Sequence, residues 1–513
     1  MTGKIAGGRK EILINVGVAE FRAAMLENGR LQSLLCETLL GSDDSHRPNR
    51  HQVAGGQIGD ILLGRVRRVM PGMQAAFVDI GLERAGFLAA REAECLAASQ
   101  DAEAPVPGIG ACVREGDSVL VQIIKMPAGE KGARLSASVT LPGRLLVLTP
   151  QRPCIGISRR IEDETRRAAL TTMCNAIFDE QKALRAAGCG CIVRSAAVDA
   201  GPYELRADLK RLAATWCQIE AARKAARPPA LLHRDHSPLE RILRDELNAQ
   251  TARVLIDDRE ACKAGRIYCA EAMPDAVKKL ELFSGPGMLF DSHGVEDDIA
   301  QLTKPRVPLP CGGWITIEST EALTAIDVNS GGFGDAAGPE QTSLRVNCEA
   351  ATEIGRQLRL REIGGPIVVD FIRMDAEGSR ACVLSILRDN LARDGAPVQI
   401  SSVPDSGLVA ITRKRVRAPL WRQTTETCAA CHGSGRIRTS ENVAFEILRS
   451  VERAAAAAPG KRITVHAAPD VARWLDDRDG AIRAGLARRQ IGNVSFVARE
   501  GYSRETFDVA TGA

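Results

Sequence analysis

Between Arg9 and Leu40, apolar and polar positions alternate in two runs around Glu27-Asn28-Gly29-Arg30, predicting a strand, a tight turn and a second strand. The Ser-, Asp-, His-, Arg- and Gly-bearing stretch 41–57 predicts a loop. From Ile61 the pattern shortens into the apolar runs ILLGRVRRV, QAAFVDIG and AGFLAA. A Pro/Gly/Ala insertion at 97–116 follows, then SVLVQIIKM and ARLSASV. Five short strands with Gly-bearing turns suit a small antiparallel barrel. Residues 144–205 mix strand-like runs (LLVLT, CIVRSAA) with helical charge spacing over 161–187. A long helical pattern runs from about Pro202 to Arg227 and stops at Pro228-Pro229. A second α/β region spans 235–300, and Pro305, Pro308 and Pro310 make 303–312 read as a connector. The pattern is α/β again over 313–410. The basic, Gly-punctuated 411–440 predicts a linker to a small α/β unit at 441–513, and no internal repeat is visible.

A chain of 513 residues exceeds one compact core and predicts about three to five globular units. Apolar content of 45% and charged content of 26% exclude a disordered chain as the default. The net charge of +4 permits a nucleic-acid binder with local positive charge but does not demand one. No apolar run reaches membrane-spanning length and Met1 to Lys10 lacks a signal-peptide layout, so a cytoplasmic protein with no membrane span is expected. Fifteen Cys, an odd number without framework spacing, predict reduced thiols. Cys189 and Cys191, like the His233/His236 pair, read as structural.

Chemistry concentrates around two aspartates. Trp314-ITIES and Leu323-TAIDV form a hairpin pattern whose second strand carries Asp327 and runs into Asn329-Ser330-Gly331-Gly332. A helix pattern from Glu340 to Glu362 then stops at Gly364-Gly365, and IVVDFIRM follows. That last run, apolar on both faces, reads as a buried strand holding Asp370. A buried carboxylate needs a partner. Two Asp at the ends of adjacent strands suit Mg²⁺, which takes one or two carboxylates plus waters and phosphate oxygens. Asn329, two residues past Asp327, falls on the same strand face. The alternative is a turn-capping Asp and an ion-paired core Asp.

Cys428-Ala-Ala-Cys431 lies in a Gly-rich loop with no second CxxC or CxxH anywhere in the chain. Tetrahedral zinc needs four ligands, which leaves a redox dithiol or a site completed by another subunit.

TEALTAIDVNSG followed by EAATEIGRQLRLREIGGPIVVDFIRM closely resembles the catalytic core of the ribonuclease E/G family. The likeness runs from about Ile12 to beyond Cys431, with the first ten residues and the tail from 441 matching loosely. The length, without a long Pro- or Arg-rich tail, resembles the shorter, ribonuclease G-like members. The resemblance implies a multi-domain α/β and α+β chain. Its parts would be an RNase H-like subdomain from 1–57 and 236–302, an S1-type OB-fold barrel at 58–139, and a 5′-phosphate sensor region at 140–235. A DNase I-like catalytic subdomain at 303–424, a zinc-link at 425–440 and a small C-terminal domain at 441–513 complete it.

The resemblance further implies a Mg²⁺-dependent endoribonuclease acting on single-stranded RNA, leaving 5′-phosphate products, in rRNA processing or mRNA decay. Asp327 and Asp370 would bind the Mg²⁺ with Asn329 assisting. Phe77 and Phe87 would stack on bases near Lys131, with Arg65, Arg67 and Arg68 adding charge. Arg194 and Ser195 would grip a 5′-monophosphate. Cys428 and Cys431 would share a Zn²⁺ with a second copy of the chain, giving a homodimer and from it a tetramer. Arg373 stands where the family usually has an acidic residue, and Pro397 where some members carry a further sensor Arg. A non-catalytic RNA-binding protein and a metal-dependent DNA nuclease are the competing readings.

Overall fold

The computed structural model describes residues 9–39, 56–97, 107–126, 132–332, 338–402 and 408–512. Lys131, the loop expected over 41–57 up to residue 55, and 98–106 of the expected insertion lie outside them. The chain divides into a unit over residues 1–416 and a second over 417–513.

Three N-terminal strands, not two, open the first unit: Lys10–Val16, Glu20–Glu27 and Arg30–Thr38. The apolar run through Val16-Gly17-Val18 conceals the first turn, where the Gly17 N–H donates to the Glu20 carbonyl at 2.8 Å and Val18 is 99% exposed. The predicted second turn is there: Asn28 (φ 53°) and Gly29 (φ 75°) take the left-handed conformation that a two-residue hairpin loop requires. Lys10–Val16 also pairs in parallel with Thr251–Ile256, which pairs in parallel with Leu280–Leu282. The sheet order is therefore 280–282, 251–256, 10–16, 20–27, 30–38. Ile12, Ile14, Leu243, Val254 and Cys269 fill its core.

The expected barrel forms from Ile61–Met70, Ala75–Asp79, Gly86–Ala89, Ser118–Lys125 and Arg134–Ser136. The first strand pairs with both the second and the fourth, closing the barrel, and Ala230–His233 adds to its flank. Closure leaves no bare edge within the five strands. The architecture is consistent with an OB-like S1 fold. Beside it, a four-stranded sheet (155–157, 190–193, 146–149, 141–142) packs on the helices Glu164–Glu180 and Pro202–Ala225. Cys189 and Cys191 are buried in that core, as small apolar residues are.

The sheet that carries the aspartates has the order 306–308, 314–319, 324–329, 365–370, 408–413, 398–402. One face buries Ile315, Ile326, Ile367 and Val369 against the helices Pro339–Leu360 and Glu377–Ala392. Three expectations change here. The 303–312 connector contains an edge strand, Arg306–Pro308, tolerated because edge positions do not need every proline N–H. The linker expected from 411 begins only after the strand Leu408–Arg413. The 365–370 strand buries only alternate residues, so Asp370 is exposed rather than set in a core. The sheet's second face is open among the described residues.

Buried charge locks this layer. Asp394 accepts from the Arg413 Nε at 2.7 Å and its terminal nitrogen at 3.1 Å, and Arg413 donates to the Ile363 carbonyl at 2.9 Å. Both side chains are almost wholly buried. The second unit holds a three-stranded sheet, 494–498, 462–467, 507–512, packed on the helices Ser440–Ala457 and Pro469–Asp476. No helix among the described residues is long and apolar enough to cross a membrane.

Removing one partner of a buried ion pair strands the other charge, at a cost of about 3–5 kcal/mol. Asp394→Ala is expected to lower the unfolding free energy of the first unit by an amount in that range, read as a lower urea midpoint at an unchanged slope. An unchanged midpoint would mean that the pair contributes nothing to stability.

Candidate active site

The strands Thr324–Asn329 and Gly365–Asp370 run parallel, and the register sets Asp327 opposite Asp370. Along each strand the apolar residues (Ile326, Val328; Ile367, Val369) point to the helices, so both aspartates emerge on the open face. Neighbouring strands lie about 4.8 Å apart, so the two carboxylates can reach one small cation. Among the described residues neither carboxylate has a Lys or Arg partner. No group of three or more His, Cys, Asp and Glu side chains suited to a metal forms among them. Two carboxylates with open space around them is the donor set that Mg²⁺ accepts, with water and phosphate completing the shell. Asn329, on the same face, donates from Nδ2 to the Asp327 Oδ2 at 2.6 Å and so fixes that carboxylate's orientation.

The loop after Asp370 is pinned by residues that sequence reasoning passed over. Asn347, fully buried on the helix Pro339–Leu360, donates to the Ile372 carbonyl at 2.7 Å and accepts from the Ile372 N–H at 3.1 Å. Glu340, on the same helix, accepts from the N–H groups of Asp375 (3.1 Å) and Ala376 (3.3 Å). The Asp375 N–H, with the Ser379 hydroxyl, holds the Glu340 carboxyl below its ordinary range. A signal existed for Asn347: an amide at a helix position whose spacing to Ala350 and Ile354 places it on the buried face. Arg373 projects into solvent and pairs with Asp375 at 3.5 Å, not with Asp327 or Asp370.

On the barrel, Phe77 and Phe87 alternate with the buried Ala76, Val78, Gly86 and Leu88, so they stand half-exposed on the outer face. They sit opposite each other in register, ring centroids 6.0 Å apart and edge-to-face at 73°. Register continues the row to Arg68 on one side and Arg134 on the other. Exposed guanidinium groups thus flank two rings across four strands. Arg65 is exposed, and Arg67 pairs with Asp79 at 2.7 Å.

Arg194 is half-buried at the end of the strand Gly190–Val193. It donates to the Gly143 carbonyl at 2.6 Å and to Asp245 Oδ1 at 2.7 Å, while Ser195 is exposed beside it. The Gly143 segment is itself held by Asp208, a buried carboxylate accepting from the N–H groups of Leu145 and Leu146 at 2.9 Å each. In the second unit, Cys428 is exposed and Cys431 half-buried in one tight turn, closed by the His432 N–H to the Cys428 carbonyl at 2.8 Å. The N–H groups of Cys431 and Ala430, and the Cys431 thiol, favour the thiolate at Cys428. Pro397 lies outside both clusters, its carbonyl accepting from the Lys414 N–H.

Comparison with known proteins bears on these sites. The sequence model of the Ribonuclease E/G family matches residues 140–416, and that of the RNase E/G, Thioredoxin-like domain matches residues 427–511. Ribonuclease G of Escherichia coli (strain K12) is 35% identical over 503 residues, covering 97% of this chain and 99% of that protein. Ribonuclease G of Haemophilus influenzae is 35% identical over 504 residues with the same coverage. Ribonuclease E of E. coli K12 is 36% identical over 451 residues, 87% of this chain but 40% of that longer protein.

Asn347→Ala leaves the Ile372 N–H and carbonyl without their partner. We expect a loss of about 1–3 kcal/mol in stability. Faster amide hydrogen exchange should be confined to the segment after Asp370, and exchange there at the wild-type rate would argue against the pin.

Proposed function

The chain belongs to the ribonuclease E/G family, and from that premise we propose that it is a Mg²⁺-dependent endoribonuclease that cuts single-stranded RNA at the Asp327–Asp370 pair. The observation that carries this reading is the parallel register that aligns two exposed carboxylates, neither with a Lys or Arg partner among the described residues, on an open sheet face. A bound Mg²⁺ would supply Lewis-acid activation of the scissile phosphate and of the attacking water. The protein's part is positional. Asp327 and Asp370 offer the ligands, Asn329 holds the first of them by its 2.6 Å hydrogen bond, and Asn347 and Glu340 fix the segment that follows the second.

The barrel row Arg68–Phe77–Phe87–Arg134 supports RNA binding without base preference. Rings stack on any base, worth about 1–3 kcal/mol each, and guanidinium groups neutralise phosphates. Arg194 and Ser195 are our candidates for the 5′-monophosphate grip. The Asp245 contact orients the Arg194 fork but also occupies part of it, and Pro397 offers no second guanidinium, so 5′-end discrimination should be modest. The order of the N-terminal sheet supports the RNase H-like assignment for 1–57 with 236–302, and the six-stranded layer at 303–424 is taken as the DNase I-like subdomain.

Two thiols in an open turn make half of a tetrahedral site, which supports a Zn²⁺ shared by Cys428 and Cys431 with the same pair of a second copy. On this reading the protein is a cytoplasmic homodimer or tetramer that works in rRNA processing or mRNA decay.

Wild-type protein with Mg²⁺ should cleave a 5′-monophosphorylated single-stranded oligoribonucleotide a few-fold faster than its 5′-hydroxyl twin. Asp327→Asn and Asp370→Asn should each slow cleavage by about a hundredfold or more while leaving RNA affinity intact. RNA binding without cutting by the wild type would favour a binding protein, and equal cutting of the matching DNA strand would favour a broader nuclease. Zinc is tested separately. Cys428→Ser should abolish bound zinc and halve the mass seen in sedimentation, and an unchanged oligomer would remove the shared ion from the account.

A further inference from the structure

We infer that Arg306, whose guanidinium lies over the Trp314 indole, is an RNA-phosphate contact built into the open sheet face beside Asp327 and Asp370, an inference that rests on the endoribonuclease reading of that face. The first observation is register. Arg306 aligns with Thr316, Thr316 with Asp327, and Asp327 with Asp370, so the four lie in one cross-strand row. Burial agrees: the alternate residues Val307, Ile315, Ile326 and Val369 are the buried ones. Two interstrand spacings, roughly 10 Å in all, separate Arg306 from Asp327 at the backbone. That distance leaves Arg306 beside the metal ligands, not among them.

The second observation is how the side chain is held. The Arg306 guanidinium carbon lies 3.6 Å from the centroid of the Trp314 ring. Trp314 is half-buried and aligned with Asn329, and its ring rests on Gly331. A Cβ at Gly331 (φ 62°) would come within 2.8 Å of that ring. The glycine turn that ends the Asp327 strand thus floors the indole, and the guanidinium caps it. Such stacking is worth about 0.5–2 kcal/mol and limits the long side chain's freedom.

The third observation is what the guanidinium does not touch. Among the described residues no carboxylate pairs with Arg306, although Arg22, Arg30, Arg67, Arg194, Arg356 and Arg413 are all so paired. A guanidinium stacked through its face keeps its in-plane N–H donors available, in the fork that matches a phosphate. A cation that is oriented, exposed and without a counterion among the described residues, on the face that presents two carboxylates to a phosphodiester, fits a neighbouring phosphate of the same strand. It also offsets the local negative field that would otherwise repel that strand.

The test uses the full-length chain, a short single-stranded oligoribonucleotide, and monovalent salt without Mg²⁺, so that binding is read apart from cleavage. Each neutralised phosphate on a single strand contributes about 0.7 to the slope of log affinity against log salt. Arg306→Ala should flatten that slope by about 0.7 and weaken binding about tenfold at moderate salt. Arg306→Lys should restore the slope, since the charge returns, while recovering only part of the affinity, since the stacked fork does not. A merely structural role would change thermal stability and leave the slope alone. Arg306→Ala with a wild-type slope would overturn the inference. If Arg306→Ala flattens the slope but the wild type with Mg²⁺ does not cut the oligonucleotide, Arg306 stands as a phosphate contact and the endoribonuclease reading falls instead.

Discussion

Everything chemical in this molecule depends on one parallel register, the one that brings Thr324–Asn329 alongside Gly365–Asp370 with Asp327 facing Asp370. Side chains alternate along a strand, so a slip of one residue in either strand would send its aspartate into the helical core and Val328 or Val369 into solvent. The inner face forbids that slip. Ile326, Val328, Ile367 and Val369 are all buried against the two covering helices, and each would have to surrender about 1.5–3 kcal/mol of burial. The placement of the two aspartates is therefore specified by apolar residues on the opposite side of the sheet.

The helix Pro339–Leu360 extends this control beyond the sheet. Near its start Glu340 and Asn347 fix the segment after Asp370; further along, Glu353 accepts from Arg30 at 2.7 Å and from Arg356, and Arg356 donates to the Leu31 carbonyl at 2.8 Å. Arg359 reaches Gln32 at 3.2 Å. One helix thus holds both the loop after the second aspartate and the tight N-terminal hairpin, some three hundred residues apart in sequence. Glu353 is 3% exposed, and a carboxylate that buried is tolerable only because several donors converge on it. The N-terminal sheet and the aspartate-bearing sheet are accordingly joined by satisfied charge carried on one helix.

Much of this was legible from residues alone, for reasons that differ by site. Asn28-Gly29 marks its hairpin because few residues accept left-handed backbone, and the barrel's alternation leaves Phe77 and Phe87 on the outer face beside buried neighbours. The aspartate pair was legible in position but not in environment. Pro366, Val368 and Phe371 make the Asp370 run look apolar on both sides, yet Pro366 and Asp370 lie on a sheet face left open. Val18 hid the first N-terminal turn in the same way, an apolar residue spent on solvent. Spacing places Asn347 on the buried helix face, but what it holds, like the Arg306–Trp314 stack, was beyond reach for a different reason. Their meaning lies in partners set by tertiary register, Ile372 in one case and the Asp327 row in the other, and spacing along the chain does not encode those.

Exposure of both carboxylates also separates folding from catalysis. Two like charges about 4 Å apart repel by only about 1 kcal/mol in water, against about 4 kcal/mol at the effective dielectric of about 20 that suits protein sites. Two exposed carboxylates side by side thus cost the fold little. The same solvent access weakens any single electrostatic contact to substrate, which is why one ion site could not hold a flexible strand by itself. On the proposed reading grip would be spread over separate weak contacts: a row of rings and guanidinium groups on the barrel, an oriented Arg beside Ser195, and a stacked cation near the aspartates themselves. Each of these groups is held in place before any ligand arrives, and on the proposed reading they would together let an open, well-solvated face position a phosphodiester without burying it.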